Sequence, residues 1–235
     1  MKRVLPTLRT DIRLQSRNGF YYAVVFVALV LVIALTRVSI PDYRNLWPTL
    51  TMGNLLITTF YFMAGLVLLE KGEGTMEAQI ITPLRPAEYL VSKIGTLGIL
   101  SLLESSLIVV VLSGFDFNWP LFIGGVLLTA AIYTLFGFVA VARYDSINEF
   151  LFPSVLWVIG SLPPLLFAAD VSDHWLFWLH PLQAPLILLR AAFIEAPSWH
   201  IAYGLTYGLI SAGIVFYFSL RVFRQFVIRR EGTRE

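Results

Sequence analysis

The chain of 235 residues is 57% hydrophobic and only 14% charged, with a mean hydropathy of +0.76, whereas a soluble domain carries roughly 25% charged residues. This composition excludes an ordinary soluble globular protein. The apolar residues come in long blocks rather than the short alternating segments of a β-barrel, which predicts an all-α integral membrane protein. The net charge of +2 argues against nucleic acid as a partner, and the absence of cysteine excludes disulfides and thiolate metal sites.

Six apolar stretches are long enough to cross a membrane. A hydrocarbon core about 30 Å thick needs about 20 apolar residues in a helix. In chain order the predicted spans are Phe20 to Thr36, Thr49 to Leu69, Ile94 to Ser113, Leu121 to Ala142, Phe150 to Ala169 and Ile201 to Val222. Because no internal repeat or linker interrupts the chain, we expect one transmembrane domain over residues 1–235.

The basic residues are distributed unevenly between the two sides of these spans. With the N-terminus inside, 14 of the 17 lysines and arginines lie in cytoplasmic segments, and only Arg37, Arg44 and Arg190 lie outside. Lysine and arginine in short loops orient membrane proteins with the positive side inward. We therefore expect a multi-pass protein of the cell (inner or plasma) membrane with both termini in the cytoplasm.

The leader before the first span has a pattern of its own. Leu5, Leu8 and Ile12 recur at helical spacing, while arginines recur every four residues from Arg9 to Arg17. This pattern is typical of a basic amphipathic helix on the inner membrane surface, in contact with the lipid bilayer. A simple positively charged flank is the alternative interpretation.

A second segment outside the spans, from Asp170 to His200, is rich in tryptophan. Its apolar run from Ala184 to Phe193 is too short to cross the membrane. We expect a re-entrant or interfacial pair of helices at the outer face. The histidines of this segment lack an H-E-x-x-H pairing, so no metal site is predicted.

The cytoplasmic loop between spans two and three has definite local signals. Thr75 can cap a short helix from Met76 to Ile81, Thr82-Pro83 ends it, and Pro86 begins the helix that continues into span three. The segment thus forms a compact helix-turn-helix. It combines four acidic residues with apolar residues, among them Met76, that we expect to be exposed, which is typical of a docking surface.

These residues resemble the signature of the ABC-2-type exporter permeases, E-x-x-x-G-T-[ML]-E, then T-P-L, then E-Y-L-x-[SA]-K. The stretches T-P-L-R-P-A-E-Y-L and, later, Gln183-Ala184-Pro185-Leu186 resemble the fluoroquinolone export permeases of actinobacteria. The six spans and the outer segment extend the resemblance over the chain. The residues that the resemblance assigns to coupling with an ATPase are Glu70, Glu73, Gly74, Thr75, Glu77, Thr82, Pro83, Leu84, Arg85, Glu88, Tyr89 and Lys93.

The resemblance also implies partners. Two ABC ATPase subunits would bind the loop as a coupling helix, and a second permease copy or a paralogue would complete the transporter. The chain has no G-x-x-x-x-G-K-[ST] phosphate loop. We therefore expect ATP and Mg on the partner ATPase, no cofactor bound by this chain, and no catalytic residue in it.

Polar residues inside the spans are candidates for a translocation path. An ionisable group within a span costs about 3 kcal/mol on insertion scales, and Glu104 is the one acid at mid-depth. Polar and small residues of span two follow a 3,4,3,4 spacing that predicts one stripe facing it. The predicted path consists of Asn54, Thr58, Tyr61, Ser101, Glu104 and Ser105. The alternative is that these residues join helices and that Glu104 is a hydrogen-bonded packing residue.

Small residues recur every four positions in spans four and six, as Gly125 to Gly137 and Gly204 to Ala212 illustrate. Such ridges predict close helix packing rather than substrate sites. Pro153 and the pair Pro163-Pro164 interrupt span five, either as a kink or as an early end.

Together with these patterns, the resemblance implies the membrane-spanning permease of an ATP-driven exporter that moves an amphipathic or hydrophobic, drug-like compound out of the cell by alternating access. The compound is a fluoroquinolone if the narrower resemblance holds. The alternatives are a permease for lipid, haem or an envelope polymer, and an ATP-independent secondary transporter, which would require paired broken helices and several buried charges. A non-transporting scaffold would not require the docking loop.

Overall fold

The computed structural model describes residues 4–38, 44–76, 85–168 and 174–228, and within them it is helical with no strand. The helices are α1 (Val4–Arg17), α2 (Phe20–Thr36), α3 (Trp47–Leu55), a π-helical turn (Leu56–Tyr61), α4 (Phe62–Gly72), α5 (Pro86–Ser113), α6 (Trp119–Val141), α7 (Ile147–Gly160), α8 (Leu162–Ala168), a 3₁₀ helix (Trp175–Leu179), α9 (Gln183–Phe193), α10 (Ser198–Val222) and a terminal π-helical turn (Phe223–Ile228).

The six predicted spans are confirmed within the described residues. Six helical stretches are long and apolar enough to cross a membrane: Phe20–Arg37, Trp47–Gly72, Pro86–Ser113, Trp119–Val141, Ile147–Ala168 and Ser198–Gln225. Three of them contain more than one helical element: α3, the π-helical turn and α4 form span two, α7 and α8 form span five, and α10 continues into the terminal π-helical turn. If all six stretches cross, α1 and the terminal π-helical turn lie on the same side of the membrane.

Helix α6 forms the centre of the bundle. Of an 18-residue apolar segment of α6, 67% is buried, compared with 11% of such a segment in α2 and 22% in span five and in α10. The α6 residues Phe122, Tyr133 and Phe138 are fully buried. Helices α2, α7 and α10 therefore present most of their apolar surface outward, to lipid or to another protein chain.

The predicted small-residue ridges are packing seams. A Cβ atom placed on Gly137 of α6 would collide with the Phe60 carbonyl oxygen and lie 3.1 Å from the Phe60 Cα. One on Gly125 would lie 2.8 Å from the Leu189 Cγ. These distances mean that only glycine allows α6 to approach the π-helical turn and α9 so closely.

The π-helical turn changes the direction of side chains along span two. A π-turn inserts one extra residue, so the residues that follow it are rotated from their α-helical positions. The Tyr61 hydroxyl, at the end of this turn, accordingly lies 3.4 Å from Ser154 Oγ of α7, whereas Gly65 faces Phe20 of α2, the helix that Asn54 also borders. Tyr61 therefore lies off the stripe predicted from α-helical spacing.

Span five is interrupted at one of its two proline sites. Helix α7 continues through Pro153 as far as Gly160, and α8 begins at Leu162, with Pro163 and Pro164 in its first turn. The break thus lies at Ser161. Proline is tolerated in a first helical turn because the amide that it lacks would have no helical partner there.

The outer segment before α10 folds into a hairpin within the bundle. The Tyr203 and Tyr207 hydroxyls of α10 donate to the Trp178 and Leu179 carbonyl oxygens of the descending arm. The returning arm, α9, begins with Ala184 beside Gly208 and ends where Ala192 accepts a 2.8 Å hydrogen bond from the Asn118 amide. Gly208 lies about 15 Å along α10 from its start. The predicted short helix is therefore confirmed, and it is inserted between α6 and α10.

Candidate functional site

Five buried polar residues meet where α1, α4 and α5 converge, and we call them the ionic cluster: Asp11, Glu70, Tyr89, Ser92 and Lys93. Asp11 comes from the leader helix, Glu70 from the end of span two, and the other three from the first turns of α5. Each residue of the cluster is at most 2% exposed. The cluster thus joins three helices at the two ends of the loop between spans two and three.

Lys93 is the centre of the ionic cluster. Its ammonium donates to the Asp11 carboxylate at 2.7 Å and to the Glu70 carboxylate. The Tyr89 hydroxyl donates to the second Glu70 oxygen at 2.7 Å, and Ser92 donates to the second Asp11 oxygen. Every carboxylate oxygen therefore has a donor, as buried charge requires.

The energetics of such a cluster are asymmetric. The attraction between buried charges roughly offsets their desolvation, but loss of one member leaves a buried charge with no partner, at a cost of about 3–5 kcal/mol. The cluster therefore contributes little net stability while it holds the relative positions of α1, α4 and α5 firmly. A change at any of these helices has to move the others or break the cluster.

The leader helix is bound to the bundle by its polar face. Asp11 and Gln15 lie four residues apart and are both buried, and Gln15 Nε2 donates to Thr96 Oγ1 of α5 at 3.0 Å. Leu5 and Ile12 are 75% and 48% exposed. Two of the three hydrophobic residues expected to bind a membrane thus remain exposed, whereas Leu8 is half-buried beside Gly95 of α5.

Two further contacts brace the same end of the bundle. Arg17 of α1 forms an exposed ion pair with Glu73. The Lys71 ammonium donates to the Ala142 and Tyr144 carbonyl oxygens at 2.8 and 2.6 Å, where a cation is favoured by the C-terminus of α6. The ends of spans two and four are therefore held together.

Part of the predicted coupling loop lies outside the described residues, namely Glu77, Thr82, Pro83 and Leu84. Of the rest, Gly74 adopts the left-handed conformation, with φ of 66°. The Thr75 hydroxyl donates backward to the Glu70 carbonyl oxygen at 3.1 Å. Met76, expected to be exposed, is 1% exposed; that expectation is wrong because the methionine belongs to the apolar core of the bundle.

The predicted helix start at Pro86 is confirmed. Arg85 is extended, α5 begins at Pro86, and the Arg85 amide donates to Glu88 Oε2 at 3.1 Å. A carboxylate in the first turn is also favoured by the helix dipole. From this start α5 runs through Lys93 into span three without interruption, so the loop and the span share one helix.

The structure separates the described coupling residues by exposure. Glu70, Tyr89 and Lys93 are buried together in the ionic cluster, Glu73 and Arg85 are exposed, and Gly74, Thr75 and Glu88 are half-buried. Only the exposed and half-buried residues can contact a partner in this conformation. The buried residues connect α1, α4 and α5.

A second group of buried polar residues, which we call the mid-span cluster, comprises Asn54, Thr58, Glu104 and Ser105. The Glu104 carboxylate faces Asn54 and Thr58 and is 4% exposed. Within the described residues, neither Glu104 oxygen, nor the Asn54 amide, nor the Ser105 hydroxyl has a hydrogen-bond partner of good geometry. The Glu104 carboxylate thus lies among the amide and hydroxyl groups with which both the path and the packing interpretations place it.

Two residues of the predicted path, Ser101 and Tyr61, lie outside the mid-span cluster. Ser101 is buried, and its hydroxyl donates to the Leu97 carbonyl oxygen of its own helix at 2.8 Å. Tyr61 faces Ser154 of α7.

The mid-span cluster borders a cavity of about 20 Å³ lined by Asn54 and Ser105 together with apolar residues of α2, α3 and α5. The cluster is thus enclosed within one chain.

Several buried polar residues were not predicted from the sequence. Asp11 is the one acidic residue of the basic leader, and this contrast is the sequence signal that distinguishes it. Gln183, at the start of α9, is fully buried, and among the described residues its side-chain polar atoms have no hydrogen-bond partner of good geometry. Its burial follows from the inserted hairpin, which hydropathy does not reveal.

Comparison with known proteins identifies the family. Residues 2–231 match the family model of the fluoroquinolones export permease protein family. The fluoroquinolones export permease proteins of two Mycobacterium tuberculosis strains are each 28% identical to the chain over 236 residues, which cover 99% of this chain and 100% of the relative. Because the match extends from the leader helix to beyond α10, the chain belongs to the fluoroquinolones export permease protein family.

Proposed function

We propose that this chain is the membrane-spanning permease subunit of an ATP-driven exporter of the ABC-2 type, with ATP hydrolysis on two separate ABC ATPase subunits. The cargo is an amphipathic, drug-like compound of the fluoroquinolone class. Family membership supports the export role. The observation that carries the coupling proposal is the ionic cluster, because it fastens both ends of the loop between spans two and three to the leader helix.

The coupling step follows from this geometry. An ATPase that pushes on the loop at 74–85 pushes on the first turn of α5, which is continuous with span three. Since Lys93 is bonded to Asp11 and Glu70, the leader helix and the end of span two move with it. The three helices thus move together as one unit. The side to which the bundle is open then changes with the state of the ATPases.

The mid-span cluster is the proposed cargo contact. A buried carboxylate whose neighbours are amide and hydroxyl groups can bind a protonated amine or accept a proton from the cargo. Glu104 is enclosed in the present conformation. Alternating access therefore requires a separation of α3 from α5 that exposes Glu104, Asn54 and Ser105.

Association with an ATPase tests the coupling proposal. Glu77→Arg and Glu88→Arg should each reduce co-purification of the ATPase and uncouple transport, because they invert charge on the proposed docking surface. Glu88→Arg also removes the bond from the Arg85 amide, so Glu88→Gln, which keeps an acceptor oxygen, separates the two effects.

The matched control is Glu195→Arg, the same charge change at an exposed position of the opposite side. It should leave ATPase association unchanged. Undiminished ATPase association and transport in both loop variants would remove the loop from the mechanism. A purified permease that exports the drug without any ATPase would exclude the ATP-driven class altogether.

A further inference from the structure

A groove lies between the leader helix and span three, and the proposed function leaves it unused. It measures about 970 Å³. Its walls are lined by Leu5, Leu8, Ile12, Tyr21, Ile99 and Leu103, and Arg9 and Arg13 also line it. The groove is thus apolar inside, with two arginines from one helix at its side.

The groove exists because of the way in which α1 is bound. Asp11 and Gln15 anchor the helix through polar contacts, which leaves Leu5 and Ile12 on its outer side. Leu8 and Leu14 pack inward, against Gly95 of α5 and the apolar core, so the exposed apolar side of the helix is limited to Leu5 and Ile12. The exposure of Leu5 and Ile12 at the cytoplasmic end of an apolar bundle favours contact with the inner leaflet of the membrane.

No acidic group in the described part of the chain neutralises the two arginines, Arg9 and Arg13. Arg9 and Arg13 are exposed, and within the described residues neither has an ion-pair partner or a side-chain hydrogen bond, unlike Arg17, which pairs with Glu73. They lie four residues apart, on the same side of α1. The groove lining contains no aspartate or glutamate. Its electrostatic complement is therefore an anion.

An apolar track leads from the groove into the membrane. Ile99, Leu103, Leu107 and Val111 recur every four residues of α5 and are 60%, 65%, 53% and 60% exposed. Twelve residues of helix extend about 18 Å, which is comparable to one leaflet of the hydrocarbon core. An acyl chain lying on this track would place its headgroup beside the arginines.

We propose that this groove is a binding site for an anionic phospholipid of the inner leaflet. Arg9 and Arg13 bind the phosphate headgroup, and one acyl chain lies along Ile99 and Leu103. The site is independent of the ATPase and of the mid-span cluster. Because the same helix carries Asp11, an occupied site presses α1 against the ionic cluster at Lys93.

A second copy of the chain fits this groove less well. Two copies facing each other through it would oppose the arginines of one to the arginines of the other, with no carboxylate in the lining to pair with them. A neutral or cationic drug leaves the arginines without a partner. The anionic lipid is the occupant that satisfies both the charge and the apolar track.

Native mass spectrometry of the full chain tests the proposal, with phosphatidylglycerol and phosphatidylcholine of identical acyl chains as probes. The wild-type protein should retain phosphatidylglycerol preferentially. Arg9→Gln combined with Arg13→Gln should lower the affinity for phosphatidylglycerol about 30-fold, since each arginine near an anionic lipid contributes a factor of about five. Affinity for phosphatidylcholine should be nearly unchanged.

The matched control is Arg221→Gln combined with Arg224→Gln, which removes two exposed charges from the same end of the bundle. It should retain the preference for phosphatidylglycerol. Ile99→Trp should fill the groove and reduce binding of both lipids, whereas Ile214→Trp, at an exposed position of α10, should not. Transport is not needed for any of these readouts, so they are distinguishable from failure of the proposed function.

Four results would overturn the proposal. One is equal retention of the two lipids by the wild-type protein, and another is an equal effect of both arginine pairs. Displacement of phosphatidylglycerol by excess inorganic phosphate would indicate a site for free anions instead. Loss of a dimer in Ile99→Trp, with lipid binding intact, would assign the groove to a second copy.

Discussion

The Lys93 ammonium donates a 2.7 Å hydrogen bond to the Asp11 carboxylate across 82 residues of chain, and the two side chains are 0% and 3% exposed. The pair connects the leader helix to the first turns of span three. Ser92 also donates to Asp11, Gln15 donates to Thr96, and Leu8 packs beside Gly95. The pair is thus the charged part of a wider contact that positions the leader helix.

Replacement of the buried lysine should destabilise the protein strongly. Lys93→Met leaves the carboxylates of Asp11 and Glu70 buried without a cation, at an expected cost of about 3–5 kcal/mol. Thermal unfolding in detergent measures the effect. Adding Asp11→Asn and Glu70→Gln to Lys93→Met should recover most of the loss, because no buried charge then remains.

The control for this experiment is Arg17→Gln, which breaks an exposed ion pair of the same helix and should cost less than about 1 kcal/mol. A melting temperature for Lys93→Met no lower than that of Arg17→Gln would contradict the assignment of a buried ionic cluster.

The closest packing in the bundle predicts a second stability effect. Gly137→Ala would place a methyl group against the Phe60 carbonyl oxygen, and overpacking of this kind costs about 1–3 kcal/mol. Gly124→Ala in the same helix is the control, since its Cβ meets nothing within 4 Å. We expect the control to be neutral or slightly stabilising, by up to about 1 kcal/mol. Equal melting temperatures for Gly137→Ala and Gly124→Ala would contradict the close packing of α6 against the π-helical turn.

The mid-span cluster predicts a change in transport without a change in folding. Glu104→Gln should insert and fold normally, because a neutral amide is tolerated between helices. If Glu104 contacts the cargo, the export rate or the substrate preference should change in a fluorescent-drug efflux assay. Glu149→Gln, at an exposed position, is the control. Unchanged export of several drugs by Glu104→Gln would assign the residue to packing.

The topology can be tested with single cysteines, since the native chain has none. Cysteines at Ser172 and Ser198 should react with an impermeant thiol reagent added to intact cells. A cysteine at Gly232 should react only after the membrane is permeabilised, because the arginine-rich end is expected inside. Labelling of the Gly232 site in intact cells would mean that the segment before α10 crosses the membrane, and the six-span topology would be wrong.

Local features of the chain were predictable. The six spans follow from runs of about 20 apolar residues, and the start of α5 follows from Pro86 with Glu88 in its first turn. The small-residue ridge of α6 also indicated a packing seam. Each of these signals lies within a single helix, so neighbouring residues alone are enough to specify it.

The pairing of distant elements was decided only by the tertiary structure. Nothing near Asp11 in the sequence indicates that Lys93 is its partner, because the contact depends on how α1, α4 and α5 pack together. Tyr61 lies off the predicted stripe because it belongs to the π-helical turn, which packs against Gly137 of another helix and rotates its residues from their α-helical positions. Hydropathy determines which residues leave water, but the mutual fit of helices determines which of them meet.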